Sequence, residues 1–144
     1  MTTEYPVEMS VTLRPVSRPW VNISVDRTVQ QIQLIDTQTF YFNFLASAGS
    51  TLTVEHFGKD INDSETAVEI VDIGFFGISD PKFAWAGVYR PDYPEPWYSQ
   101  QAPRPADSLP AQTYLGWNGT YRLEFSVPVF EWMHKTLNLG WIYR

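Results

Sequence analysis

The sequence contains no cysteine among its 144 residues. That absence excludes a disulfide framework, thiolate zinc sites, iron–sulfur ligation and thiol catalysis. Basic residues are also few, since 10 Lys and Arg stand against 16 Asp and Glu and give a net charge of -6. This balance disfavours binding to nucleic acid or to an anionic membrane through a general basic field, so we expect neither kind of partner.

Long hydrophobic runs and catalytic motifs are missing as well. No apolar stretch approaches the roughly 20 residues that cross a bilayer, and the N-terminus is polar, so we expect neither membrane insertion nor a signal peptide. Neither a Gly-x-Ser-x-Gly nucleophile elbow nor a Gly-rich phosphate loop is present. The two histidines, His56 and His134, lack partner motifs. We therefore expect structural roles for both histidines and a protein that is not an enzyme.

Helix-forming residues are scarce, and strand-forming residues take their place. Leu and Ala together supply 17 residues, whereas Val, Ile, Thr and the aromatic residues supply 55. Apolar and polar residues alternate over 7–13, 21–25, 40–45 and 121–127, which indicates strands with one buried face. Such strands, joined by Gly, Pro, Asn and Asp turns, predict a single all-β domain over residues 1–144, an antiparallel β-sandwich or jelly roll.

The pattern also predicts the remaining elements. An apolar strand is expected over 68–78, and a short strand over 114–117 leads into Asn118-Gly119, which is typical of a type I′ hairpin turn. One short helix is predicted over 128–139, and a last strand or packed tail over 141–143. We expect at most one or two short helices in the whole chain.

The segment over residues 79–112 has a different composition, and we call it the Pro-rich segment. It holds seven of the 11 prolines together with six aromatic residues, so most of it is not regular strand and it is not a disordered linker. We predict a long ordered excursion packed on the sandwich. Its rings and hydrogen-bonding groups suit a sugar, a protein partner, or simple cover of the sandwich, and the residues leave these three readings open. The candidate ligand-binding residues are Trp85, Tyr89, Arg90, Asp92, Tyr93, Trp97, Tyr98 and Gln100.

Two acidic patterns suggest further chemistry. Asp92 and Glu95 resemble the carboxylate pair of a glycoside hydrolase, but their spacing in a Pro-rich stretch does not place them on opposite sides of a bond. Oxygen-bearing side chains at alternate positions over 60–65 resemble the start of a calcium loop, but Glu65 stands where the EF-hand requires Gly. Asp60, Asp63 and Glu69 are the candidate ligands of a calcium ion held without an EF-hand. A solvated turn is the favoured explanation of the Asp60–Asp63 stretch, since Asp and Asn are the usual turn formers.

Two phrases resemble known families. LTVE at 52–55 with Lys59 and Asp60, followed by AVEIVDI at 67–73, is similar to calcium-dependent, xylan-binding-type carbohydrate-binding modules. YLGWNGTYRLEF at 114–125, with Pro128 and Trp132 behind it, resembles small uncharacterised tailed-phage proteins. Together the resemblances imply a lectin-like β-sandwich displayed on a virion or another extracellular surface.

Two functions of different class follow from these observations. The first is a non-catalytic carbohydrate-binding module for adhesion, with a glycan and possible calcium as ligands. The second is a structural virion subunit that grips neighbouring subunits through the Pro-rich segment. Because so many large aromatic residues need covering, we also expect a homo-oligomer or a larger assembly, with Tyr93, Trp97 and Tyr98 buried at the contact.

Overall fold

The computed structural model describes residues 3–137, which form two antiparallel β-sheets packed face to face. The strands are β1 (Tyr5–Val16), β2 (Trp20–Val25), β3 (Thr28–Gln33), β4 (Gln38–Ala46), β5 (Ser50–Phe57), β6 (Ala67–Phe75), β7 (Ile78–Ser79), β8 (Val88–Pro91), β9 (Leu109–Pro110), β10 (Tyr114–Leu115) and β11 (Gly119–Phe125). The first sheet has the order β10-β6-β1-β4, with β7 paired to β6, and the second has the order β3-β2-β5-β11-β8-β9. This architecture confirms the predicted all-β sandwich.

Side-chain alternation explains how the strands build the core. In β5 every second residue is buried, and the same period holds through β1, β2 and β11. Because successive side chains of a strand point to opposite faces, each strand gives one row to the space between the sheets. The buried row of β5 consists of Ser50, Leu52, Val54 and His56. The core therefore lies between the two sheets, as the sequence pattern predicts.

Two short α-helices close one side of the sandwich. Helix α1 (Pro81–Trp85) begins after Asp80, whose side chain accepts a hydrogen bond from the Lys82 backbone N–H at 2.9 Å. Helix α2 (Val129–Leu137) lies within the range predicted for a helix, and its Trp132 ring packs 5.4 Å from the Phe75 ring. The predicted last strand at 141–143 lies outside the described residues.

Three local predictions were wrong. Asn118-Gly119 does not join a hairpin, because β10 pairs with β6 in the first sheet whereas β11 pairs with β5 and β8 in the second. Gly119 instead allows the start of β11 to lie close to the β8 backbone, since a Cβ at this position would lie 2.5 Å from the Arg90 carbonyl oxygen. The predicted strand 68–78 breaks at Phe76 and Gly77, both of which have positive φ.

The third correction concerns the Pro-rich segment, which is not only an excursion on the sandwich. It contributes helix α1 and strand β8, and β8 is an internal strand of the second sheet between β11 and β9. Residues 92–108 contain neither strand nor α-helix and only one 3-10 turn, over Tyr98–Gln100. Pro81, Pro91 and Pro110 lie at the ends of regular elements, where a missing N–H or a fixed φ is tolerated, and the other four prolines lie within 92–108.

Candidate functional site

A groove opens at one end of the sandwich, where β5 ends, β8 ends and β11 begins. It has a volume of about 360 Å³ and lies between the loop that follows β5 and the irregular part of the Pro-rich segment. Its lining combines aromatic, acidic and amide groups: Lys59, Asp60, Ile61, Asp92, Tyr93, Pro94, Glu95, Trp117 and Asn118. Three separate parts of the chain therefore meet here, because β5 and β8 end and β11 begins at the same end of the sandwich.

The floor of the groove is held by a reciprocal contact between Asn118 and Lys59. The Asn118 Oδ1 accepts a hydrogen bond from the Lys59 backbone N–H, and the Asn118 Nδ2 donates to the Lys59 carbonyl, both at 2.9 Å. The Lys59 Nζ donates to the Gly116 carbonyl at 2.6 Å and lies 5.0 Å from the centroid of the Trp117 ring. The loop after β5 is thereby fixed to the start of β11.

Four aromatic rings, which we call the aromatic row, pack against one another beside this floor in the order Tyr98, Tyr93, Trp97 and Trp117; Tyr98 and Tyr93 are stacked, and the other two pairs are tilted by 37°. The ring centroids of successive members lie 5.4, 5.6 and 5.5 Å apart. The Arg104 guanidinium lies 5.5 Å from the centroid of Tyr98, at the opposite end from Lys59. A cation at each end of the row complements the negative faces of the rings.

Hydrogen bonds within the Pro-rich segment hold the aromatic row in place. The Tyr93 hydroxyl donates to the Ala106 carbonyl at 3.1 Å, and the Tyr98 hydroxyl donates to Asp107 Oδ1 at 3.0 Å. These contacts fold residues 92–108 back on themselves. A ligand that enters the groove would thus meet side chains that are already ordered.

Three carboxylates and one ammonium group give the groove an acidic balance. Asp60 Oδ1 accepts a hydrogen bond from the Asn62 backbone at 2.8 Å, and Glu95 Oε2 accepts one from the Ser99 hydroxyl at 2.5 Å. Asp92 is exposed, and its carboxylate has no hydrogen-bond partner among residues 3–137. The groove therefore presents acceptors that suit a ligand rich in hydroxyl donors.

The structure brings some of the predicted ligand-binding residues together and separates others. Asp92 and Tyr93 line the groove, and Trp97 and Tyr98 belong to the aromatic row beside it. Gln100 is exposed in the 3-10 turn. Trp85, Tyr89 and Arg90 lie outside the groove lining.

Arg90 and Trp85 lie away from the groove. Arg90 lines a second depression of about 470 Å³ on the outer face of the second sheet, together with Arg122 and Glu124. Trp85 is 53% exposed at the end of helix α1, which precedes the start of β8, whereas the groove follows its end. These two side chains therefore cannot meet a small ligand in the groove.

Tyr89 lies in the core, so the structure corrects its assignment as a surface ligand residue. It is 1% exposed, its hydroxyl donates to the Trp117 carbonyl, and that hydroxyl accepts from the Trp117 N–H at 3.2 Å. Burial raises the pKa of Tyr89 above its ordinary value. Its contribution to the groove is indirect, because it fixes the backbone that carries the Trp117 ring.

Sequence reasoning missed Lys59, Trp117 and Asn118. The interpretation of Asn118-Gly119 as a hairpin turn hid their role. In a hairpin, the strand that carries Trp117 would pair directly with the strand that follows the turn. No local signal relates Lys59 to residues that lie 59 positions further along the chain. The pairing of β5 with β11 creates this contact.

The calcium candidates do not form one cluster. Asp63 accepts hydrogen bonds from the Thr66 hydroxyl and from the backbone N–H groups of Thr66 and Glu65, which lower its pKa from 3.8 to about 2. Glu69 lies on β6 and forms an ion pair with Arg14 at 2.5 Å. Over residues 3–137 no group of three acidic or histidine side chains is placed to hold a metal ion. Calcium binding through Asp60, Asp63 and Glu69 stays a prediction.

His56 occupies the interior rather than the groove. Its Nδ1 lies 3.0 Å from the Leu115 carbonyl oxygen, so Nδ1 carries the proton and donates to it, and Nε2 has no partner among the described residues. Burial lowers the pKa of His56. This geometry gives His56 a packing role and no route to a substrate in the groove.

The acidic pair Asp92 and Glu95 lines one groove, which the sequence alone did not establish.

In the part of the chain that the structure describes, no helix is both long and apolar enough to span a membrane.

Comparisons of the chain with protein-family models, with curated proteins and with solved structures found no match. The two family resemblances therefore stay predictions, and the function is argued from the groove.

Proposed function

We propose that this β-sandwich is a non-catalytic carbohydrate-binding module and that the groove is its sugar site. The observation that supports the proposal is the meeting of two aromatic side chains, Tyr93 and Trp117, with three carboxylates in one groove. Sugars present apolar C–H faces and many hydroxyl donors, and this lining offers a counterpart to each. Protein binding sites for small molecules commonly combine an apolar wall with a few placed polar groups in this way.

The ordering of the groove also favours sugar binding. Contacts made by Tyr93, Tyr98, Lys59 and Asn118 fix both sides of the groove without a ligand. Side chains that are ordered in advance lose little conformational entropy when a ligand arrives. A modest number of hydrogen bonds to sugar hydroxyls is then enough for measurable affinity.

A glycan array, probed with and without calcium, provides the first test. Hits are then titrated calorimetrically against the wild type, Asp92→Asn and the matched control Asp36→Asn. Asp36 is exposed in the loop between β3 and β4, so its substitution makes the same charge change away from the groove. We expect Asp92→Asn to weaken binding about tenfold or more, because a hydrogen bond to a charged group contributes roughly 1.5–3 kcal/mol.

The outcomes separate the alternatives. Equal affinities for Asp92→Asn and Asp36→Asn, or no glycan bound by the wild type, would reject the groove as a sugar site. Release of sugar products by the wild type, abolished in Asp92→Asn and Glu95→Gln, would instead make the protein a glycoside hydrolase. Affinity that falls on removal of calcium would support the predicted cation.

A second candidate is a structural subunit of a virion or another extracellular particle. It is favoured by the stacking of Tyr93 on Tyr98 within the aromatic row, because ring faces that cover one another are less available to a sugar. In this case Trp97→Ala abolishes incorporation into the particle, while the glycan array shows no binding by the wild type.

A further inference from the structure

Strand β4 is the outermost strand of the first sheet, and one of its edges is open. Its nine residues pair with β1 in unbroken register from Tyr5↔Ala46 to Leu13↔Gln38. Within residues 3–137 no strand pairs with its other edge. Alternate backbone N–H and C=O groups of β4 therefore point outward without a strand partner, and another extended strand satisfies such a row best.

The other outer edges are shorter or more polar. β10 and β9 have two residues each, and β9 ends in Pro110, which cannot donate a ladder hydrogen bond. β3 has six residues, three of them Gln. β4 has nine residues, none of them charged and none of them proline, and its Tyr41 and Leu45 side chains are 71% and 63% exposed. A long, uncharged edge with exposed apolar side chains is the kind that pairs with another chain.

We propose that β4 pairs with β4 of a second copy of this chain, antiparallel about a two-fold axis near Asn43. Two copies with a net charge of -6 repel each other over most of their surfaces, whereas β4 brings no charge to the contact. In this register Tyr41 lies opposite Leu45 of the second copy, and the two Asn43 side chains lie opposite each other. An aromatic–aliphatic pair and an amide pair are both favourable across strands.

The dimer is independent of the groove, and its contact differs from the one expected from the sequence. The contact predicted from the sequence involves Tyr93, Trp97 and Tyr98, which pack on one another within one chain beside the groove. Pairing through β4 would join the two first sheets edge to edge and leave both grooves open. Loss of the dimer therefore does not imply loss of glycan binding, so the two proposals fail separately.

Light scattering over a wide concentration range tests the dimer on the wild type and two double variants. Tyr41→Lys/Leu45→Lys places like charges directly opposite each other, and we expect the dissociation constant of the dimer to rise at least roughly tenfold. The control Val29→Lys/Gln31→Lys makes the same charge change on exposed residues of β3 and should leave the dimer intact. Both variants reduce the net charge from -6 to -4, so weaker general repulsion cannot explain dissociation.

A charge-swap experiment and hydrogen exchange complete the test. Tyr41→Glu/Leu45→Glu should also be monomeric alone, and an equimolar mixture with the lysine variant should form a heterodimer. Protection of the outward-pointing β4 amides, which do not bond to β1, should be lost in each monomeric variant, whereas the amides that bond to β1 should stay protected. A wild type that is monomeric at all concentrations, a dimer broken only by the β3 variant, or outward-pointing β4 amides protected in a monomer would each overturn the proposal. The last result would show that the chain covers this edge itself.

Discussion

Acidification is expected to destabilise the protein through His56 well before its carboxylates titrate. Nδ1 of His56 already donates to the Leu115 carbonyl, so a second proton must bind at Nε2. That atom is buried and has no acceptor among the described residues. Protonation therefore puts a charge and an unpaired donor into the core, and burial lowers the pKa of His56 for this reason.

The sign of the pH effect follows from the lowered pKa. Below the unfolded-state pKa of about 6.5 the unfolded chain binds a proton that the folded chain refuses, so stability falls as pH falls. The loss levels off below the folded-state pKa. While the folded state stays neutral, stability falls by no more than about 1.4 kcal/mol per pH unit, so the loss between pH 7 and pH 5.5 is at most about 1.3 kcal/mol.

Urea unfolding followed by tryptophan fluorescence measures this effect. With an m-value of about 2 kcal/mol/M, the midpoint of the wild type should move down between pH 7 and pH 5.5, by no more than about 0.6 M. His56→Asn keeps an amide donor for the Leu115 carbonyl and removes the titrating nitrogen, so its midpoint should hardly move. Val54→Ala is the matched control, because it loses packing on the same strand but no titrating group. The reasoning is refuted if His56→Asn keeps the pH dependence of the wild type and of Val54→Ala.

Two further predictions concern the packing around Gly87 and the acid stability contributed by Asp63. Gly87→Ala should destabilise the fold by about 1–3 kcal/mol or more in the same urea assay, because its Cβ would lie 2.3 Å from the buried Tyr121 hydroxyl. The control Gly116→Ala should be nearly neutral, because its Cβ would lie 3.4 Å from the Tyr114 ring, an ordinary contact distance. Equal unfolding midpoints for the two variants would contradict this packing. Asp63 has a folded-state pKa of about 2 against an ordinary value of 3.8, so it contributes stability above pH 3.8 that is lost as pH falls towards 2. Asp63→Asn should remove that acid-range component and keep the one assigned to His56, as a pH series of midpoints would show.

The buried rows of the strands could be predicted from the sequence because they depend on local alternation. Val7, Val11 and Leu13 read as one face of a strand before any partner is known, and they form one buried row of β1. The sheet to which a strand belongs is decided by distant residues. Asn118-Gly119 has the residues of a tight turn, yet Leu115 pairs with Val68 in the first sheet. Turn residues set a local direction and do not choose between two sheets.

The candidate site was only half predictable for the same reason. Tyr93 and Asp92 stand in a composition that indicates recognition, so the sequence names them as candidate ligand residues, but only the structure places them in one groove. Trp117 reaches the groove because the buried Tyr89 holds its backbone, and Lys59 because Asn118 holds it. Contacts between residues so far apart in sequence follow from the pairing of β5, β8 and β11, which residue composition does not specify.

The spacing of Trp97 and Trp117 has an optical consequence. Their ring centroids lie 5.5 Å apart and their planes are inclined by 37°, so the excited states of the two indoles are close enough to couple. Coupled indoles give a paired positive and negative band in circular dichroism that neither ring gives alone. The protein thus carries an intrinsic, label-free reporter beside its groove, and its signal should disappear in Trp97→Phe and change when a molecule displaces the Trp117 ring.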